Sequence, residues 1–340
     1  MLAKPNKQLI KLLFLLVMVI TISPLVAHAF MHQLKASDTS FPLPAPSASH
    51  EPYVKSRVNN GALIDIQFFN IKPSKTLLAS SLISTSDLVG KVIMAKFTYM
   101  SGGIKVMGCL AMPKAKGLYP SIIYNRGGNR DFGKLEEGLD MLQLADLAGQ
   151  GFVVIASQYR GGQYSLGEDE FGGKDVQDVL NLIPVLSQIN GADVSRLGMF
   201  GVSRGGMMTY LALSKSTRFK TAVLIGAPTD LLAMKVNRPE MGELFDELIT
   251  EDPLKQQAEL KKRSVIYWVD KLPSQTPLLI LHGALDWRVS PTDATRLSTE
   301  LLKRGLPHRL IIYEGDDHPL SRHSIEVRNE IQHWFKDKLK

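Results

Sequence analysis

Around residue 203 the chain has to turn from a buried strand into a helix within a single serine. Leu197-Gly198-Met199-Phe200 is a short apolar run of strand character, and residues 207–213 read as a helix. Between them lies Gly201-Val202-Ser203-Arg204-Gly205, a G-x-S-x-G sequence in the strand–turn–helix setting of a nucleophile elbow. A serine on so sharp a turn sits in a strained backbone conformation, and residues without Cβ let strand and helix approach that closely. The turn lifts Ser203 Oγ clear of the sheet and brings the Arg204 amide beside the reacting carbon. Taken alone, the pentapeptide also fits a glycine-rich turn with a solvent-facing serine, so its partners decide.

The rest of the chain alternates strand and helix signals. Residues 92–99 and 105–111 straddle Ser101-Gly102-Gly103 and predict a hairpin. Short β-rich runs follow at 121–124, 152–156, 197–200, 221–225, 278–281 and 310–313. Helical stretches are expected at 135–148, 176–187, 204–214, 294–303 and 325–336. Ser290-Pro291-Thr292-Asp293 has the form of a capped helix start with proline at its first position. An opening hairpin followed by repeated β-α units predicts an α/β fold: a doubly wound, mostly parallel sheet with helices on both faces. Ligand sites in such sheets lie beyond the carboxyl ends of the strands.

The first residues belong to no core. Lys4, Lys7 and Lys11 precede an apolar run that starts at Leu12, and Ala27-His28-Ala29 is an A-x-A cleavage site. Residues 1–29 therefore read as a secretory signal peptide, and the protein is expected to be exported, periplasmic or secreted. An uncleaved anchor is the alternative, but the run is short for a span of ~20 residues. The formal charge of +7, less the three signal lysines, leaves +4. That charge is spread along the chain without a basic stripe, which argues against nucleic acid as a partner. The single cysteine, Cys109, allows no internal disulfide. Stability must then come from the core, which suits a bacterial envelope enzyme. Residues 30–90 read as a Pro/Ser-rich leader and a small N-terminal extension, and residues 91–340 as the main domain.

A serine hydroxyl needs a base, and the base needs an acid to hold its tautomer. After the run at 278–281 comes His282-Gly283-Ala284-Leu285-Asp286, and after the run at 310–313 comes Glu314-Gly315-Asp316-Asp317-His318. Asp286 and His318 thus fall in loops on the same sheet edge as Ser203, in the order Ser, Asp, His. Ser203 is assigned as nucleophile, His318 as general base and then acid, and Asp286 as the orienting carboxylate. His323 is the rival base, although it is expected to begin the last helix and point away. Asp230 is the rival acid. His282 reads as a structural residue at a strand end, and Asp293 as a helix-capping residue. Backbone amides of Arg204 and of the Asn125-Arg126-Gly127-Gly128-Asn129 loop, those of Arg126 and Gly127, are the candidate oxyanion donors. Arg126 and Arg160 are candidate contacts for a substrate carboxylate. No metal or organic cofactor is called for.

With these segments together, the chain resembles the catalytic domain of the prolyl oligopeptidase family of serine peptidases, in the α/β-hydrolase superfamily. The resemblance runs from about residue 91 to 340. It is carried by Arg126-Gly127-Gly128, Gln158-Tyr159-Arg160-Gly161, Glu170 to Val176, Gly201 to Gly206, His282 to Asp286 and Asp317-His318. It implies an α/β-hydrolase fold and the same triad. It also implies departures. No room exists before residue 91 for the family's β-propeller, and the usual His-Gly-Gly-Pro reads Arg126-Gly127-Gly128-Asn129, so a tyrosine oxyanion donor is not supported. The segment 230–273 is expected to form a helical cap insertion over the site. The reading is an exported serine hydrolase acting on short peptides, with a carboxylesterase on small acyl esters close behind. A non-catalytic binding protein on the same fold is the rival of another class.

Overall fold

The structure, a computed structural model, describes residues 59–71, 85–135 and 139–340. The expected signal peptide at 1–29 and most of the expected leader lie outside the described residues. The strands are β1 Leu63–Asn70, β2 Val92–Ser101, β3 Ile104–Pro113, β4 Tyr119–Asn125, β5 Val153–Ser157, β6 Ala192–Val202, β7 Thr221–Ile225, β8 Leu278–Gly283 and β9 His308–Tyr313. They form one sheet in the order β1-β2-β3-β5-β4-β6-β7-β8-β9. β1, β2, β3 and β5 pair antiparallel, and from β5 to β9 every pairing is parallel.

The β2–β3 hairpin turns on Gly102 and Gly103, with φ of 60° and 82°. Two consecutive left-handed residues are what a two-residue hairpin loop demands. The central strands β5, β7 and β8 are buried along their whole length. Their unbroken apolar runs are the mark of parallel strands covered on both faces. Successive side chains go to opposite layers. Met199, Leu224 and Ile280 join one core; Phe200, Val223 and Leu281 join the other.

The helices are α1 Thr85–Leu88, α2 Leu139–Gly149, α3 Asp175–Leu180, α4 Leu182–Leu186 and α5 Arg204–Leu213, followed by α6 Leu231–Asn237, α7 Pro239–Leu248, α8 Pro253–Arg263, α9 Pro291–Lys303 and α10 Ser324–Lys338. Helices α3 to α9 supply residues such as Val179, Met208, Phe245 and Leu297 to the first core. Helices α2 and α10 supply Leu144, Ile331 and Phe335 to the second. This is the two-faced covering expected of a doubly wound sheet. Among the described residues, no helix is long and apolar enough to cross a membrane.

Two expectations change. The helix expected over 176–187 is two helices meeting at Asn181. Pro184 explains the break, since its ring crowds the carbonyl four residues earlier and it has no N–H to donate. The boundary expected near residue 90 cuts through the sheet, because β1 pairs with β2 along Leu63 to Asn70. β1 is an edge strand whose side chains are mostly exposed, so it lacks the continuous apolar run of the inner strands.

Candidate active site

Ser203 joins β6 to α5 with φ 55° and ψ −127°, a conformation that costs an L-residue of order 1–3 kcal/mol. The surroundings hold it there. Its N–H donates to the Ile225 carbonyl at 2.8 Å, and its carbonyl accepts from Gly206 N–H at 2.8 Å. A Cβ at Gly205 would collide with the Asn125 carbonyl, so only glycine lets α5 start against β4.

The loop after β7 begins at Gly226, directly beyond Ile225. A Cβ there would lie 2.9 Å from both Cε1 and Nδ1 of His318, and 3.3 Å from Asp286 Oδ2. His318 is thereby set against the strand next to the serine. Its Nδ1–H donates to Asp286 Oδ2 at 2.7 Å, which leaves Nε2 as the free ring nitrogen. Asp286 Oδ1 accepts from the amides of Arg288 and Val289 at 2.9 and 3.0 Å. Burial works to raise the Asp286 carboxyl, but bonds from His282, His318 and the Val289 amide outweigh it and hold it well below the usual carboxylate range.

The loop after β4 approaches from the other side. A Cβ on Gly127 would lie 3.3 Å from Ser203 Cβ and 4.0 Å from Ser203 Oγ. The Arg204 amide is the first of α5, where helix N–H groups lack intrahelical partners. The structure thus gathers Ser203, Asp286, His318, Gly127 and Arg204 at one edge of the sheet.

The rival residues have other partners. His323 Nδ1 bonds Asp316 Oδ2 at 3.0 Å, and its ring packs on Tyr313 at the start of α10. Asp230 caps α6, accepting from the amides of Leu232 and Ala233. Asp293 is not a cap: Ser290 caps α9, and the Asp293 carboxylate faces the Thr229 amide at 3.5 Å.

Two expected substrate contacts need correction. The Arg126 side chain is fully buried, and its guanidinium donates to the carbonyls of Gln158, Gly127, Phe132, Gly133 and Arg130. It braces its own loop and offers no donor edge to a ligand. Arg160 forms a two-pronged pair with Asp178, at 3.0 and 2.7 Å, and is also buried. Neither charge is available for a substrate carboxylate.

Sequence reasoning missed the Arg204 side chain. Its guanidinium donates to the Gly128 carbonyl at 3.0 Å, grips both oxygens of Asp169 at 2.7 and 2.6 Å, and pairs with Asp175. Asp169 in turn accepts the Arg130 amide at 2.8 Å. The elbow is therefore tied to the loops after β4 and β5 through one buried side chain. The clue was the acid-rich stretch Glu168-Asp169-Glu170 with Asp175, which spacing alone does not connect to Arg204.

Helix α6 and the residue that follows it border a cavity that reaches Asp286. Met234, Asn237 and Arg238 share with Asp286, Trp287, Arg288, Val289, Ser290 and Asp293 a cavity of about 260 Å³. The guanidinium groups of Arg238 and Arg288 lie 5.5 and 5.3 Å from the centre of the Trp287 ring.

Residues 139–340 match the Prolyl oligopeptidase family. The chain belongs to this family. It is 29% identical to an uncharacterized peptidase, YtmA, of Bacillus subtilis, over 71% of this chain and 92% of that protein. It is 28% identical to dipeptidyl peptidase 8 of Mus musculus over 64% of this chain, but only 24% of that longer relative is covered. The acylaminoacyl peptidase of Pyrococcus horikoshii has the same fold, with a TM-score of 0.63 and 24% identity over 72% of this chain and 41% of that one. This prolyl oligopeptidase family member is therefore an α/β-hydrolase of the serine peptidase class, matched along nearly the whole of one short relative and along part of the longer ones.

Proposed function

We propose that this family member is an exported peptidase that hydrolyses short peptides through an acyl-enzyme on Ser203. The observation that carries the reading is the Asp286–His318 bond, set beside Gly226 with the imidazole Nε2 left free. Ser203 Oγ attacks the substrate carbonyl as His318 Nε2 takes the hydroxyl proton, and Asp286 steadies the imidazolium that results. The charge on the carbonyl oxygen falls to the amides of Arg204 and of Arg126 or Gly127. His318 then gives its proton to the leaving amine, the C–N bond breaks, and the acyl group stays on Ser203. Water attacks that ester, passing a proton through His318 back to Ser203, and the acid departs.

The peptide reading over plain acyl esters rests on the family match, since Arg238 at the wall of the cavity beside Asp286 already pairs with Glu240 and the Arg288 carbonyl. Helices α6–α8 act in this reading as the cap that sets specificity. Export rests on the signal-like sequence at 1–29 and is checked by cell fractionation.

A fluorophosphonate probe tests the chemistry. The wild-type chain is expected to take the label and Ser203→Ala to refuse it; label-free wild type would return the chain to the binding-protein reading. Turnover by His318→Ala should fall by roughly four to six orders of magnitude, while His323→Ala stays near wild type. Panels of aminoacyl-nitroanilides and acyl nitrophenyl esters separate the peptidase from the carboxylesterase.

A further inference from the structure

A second histidine reaches the same carboxylate oxygen that binds His318. His282 is the next-to-last residue of β8 and has no exposed surface. Its Nε2 lies 3.2 Å from Asp286 Oδ2 and 2.9 Å from the Val289 carbonyl. Both are acceptors, one of them charged, so Nε2 must carry the proton. His282 Nδ1 is buried with no partner. Geometry thus puts the His282 hydrogen on Nε2.

That N–H is bonded to the Val289 carbonyl and stands within ion-pair distance of Asp286 Oδ2 in the same turn. Val289 gives its own amide to Asp286 Oδ1 and its carbonyl to His282. The imidazole therefore steadies Asp286 through hydrogen bonds by way of Val289, and its Nε2 also stands 3.2 Å from Oδ2. We infer that His282 is a positioning residue for the reaction: it fixes the Asp286 carboxylate in the plane that His318 needs and shares the charge on Oδ2. Such outer hydrogen bonds matter because a carboxylate free to rotate lets the base lose its orientation. The inference rests on the triad reading above and adds a fourth member to it.

Variants at residue 282 test it. His282→Phe keeps the ring volume and removes the donor. Its kcat per titrated active site is expected to fall about 10- to 100-fold, the scale of losing an outer hydrogen bond to an active-site group, with KM unchanged. His282→Gln, whose amide nitrogen reaches about as far as Nε2, should restore most of the loss; His282→Asn, which is shorter, should not. The far-downfield proton of the His318–Asp286 bond, followed by NMR of histidine-labelled protein, should shift in Phe and Asn and hold in Gln. Equal kcat in all three variants and wild type, or an unmoved proton signal, overturns the inference. If His282→Phe fails to fold, the Gln and Asn pair decides, and equal losses in both overturn it. Fluorophosphonate labelling of the wild type is read first. Labelled wild type with indifferent His282 variants sinks only this inference, whereas unlabelled wild type sinks the triad reading itself.

Discussion

At Gly226 one added methyl group would press on the His318 ring while taking a backbone φ of +52° that L-residues rarely adopt. Gly226→Ala is expected to lower kcat/KM by about 100-fold, as displacements of about 1 Å do, while the melting temperature drops only a few degrees. Near-normal kinetics would mean that His318 has slack the packing does not suggest. Arg204 makes the opposite kind of prediction. Burial works to raise Asp169, but Arg204 and two backbone amides outweigh it and keep its carboxyl below the ordinary value. A lowered folded value means stability that is present above the unfolded value, about 3.9, and lost as pH falls through the folded one. Arg204→Met strands two buried acids and should cost about 3–5 kcal/mol. Denaturant titrations at pH 7 measure that cost, and the acid unfolding midpoint should move to higher pH. Sequence order made Ser203, Asp286 and His318 legible because each follows a strand on the same edge. Arg126 was misread for a physical reason: its partners are main-chain carbonyls, and no residue type announces a carbonyl.

At the scale of elements, the inner strands were visible as apolar runs, α5 as the helix that follows the elbow and α9 as a capped, proline-started stretch, while α6 to α8 were expected only as a helical insertion over 230–273. Asp230, Pro239 and Asp252-Pro253 begin three helices where capping chemistry says they should. What failed was continuity. Pro184 divides a stretch whose apolar pattern runs on, and β1 hides because an edge strand needs to bury little. Helix α10 tests the packing directly. Phe335 is fully buried, with ring centres 6.1 Å from Phe152 and 6.4 Å from Phe200. Gly198 leaves the space beneath it, since a Cβ there would stand 3.0 Å from the Phe335 ring. Phe335→Ala should destabilise by about 3–5 kcal/mol, read as a shift in the urea midpoint at constant slope.

Across the whole molecule, the alternation of strand and helix disclosed the class of fold but not the strand order. Pairings such as β4 with β6, or β3 with β5, join residues far apart in sequence through backbone bonds that any side chain permits. The antiparallel strands β1 to β3 extend the parallel sheet on the side away from β9. Removing 63–70 would leave β2 as a bare edge rich in buried apolar residues. Exposed edges of that kind recruit other chains, so the shortened protein should elute as larger species in size-exclusion chromatography. A monomeric profile would show that β2 tolerates solvent.

Arg204 serves the reaction with its amide and the architecture with its guanidinium, and those two duties reach into different stretches of chain. The pentapeptide that marks the site is consequently not portable. Grafted onto another scaffold without Asp169 and Asp175, it would carry an unneutralised cation into the new core, whatever the accuracy of its turn. The smallest transferable unit is discontinuous: an elbow together with a distant acidic loop that must arrive with it.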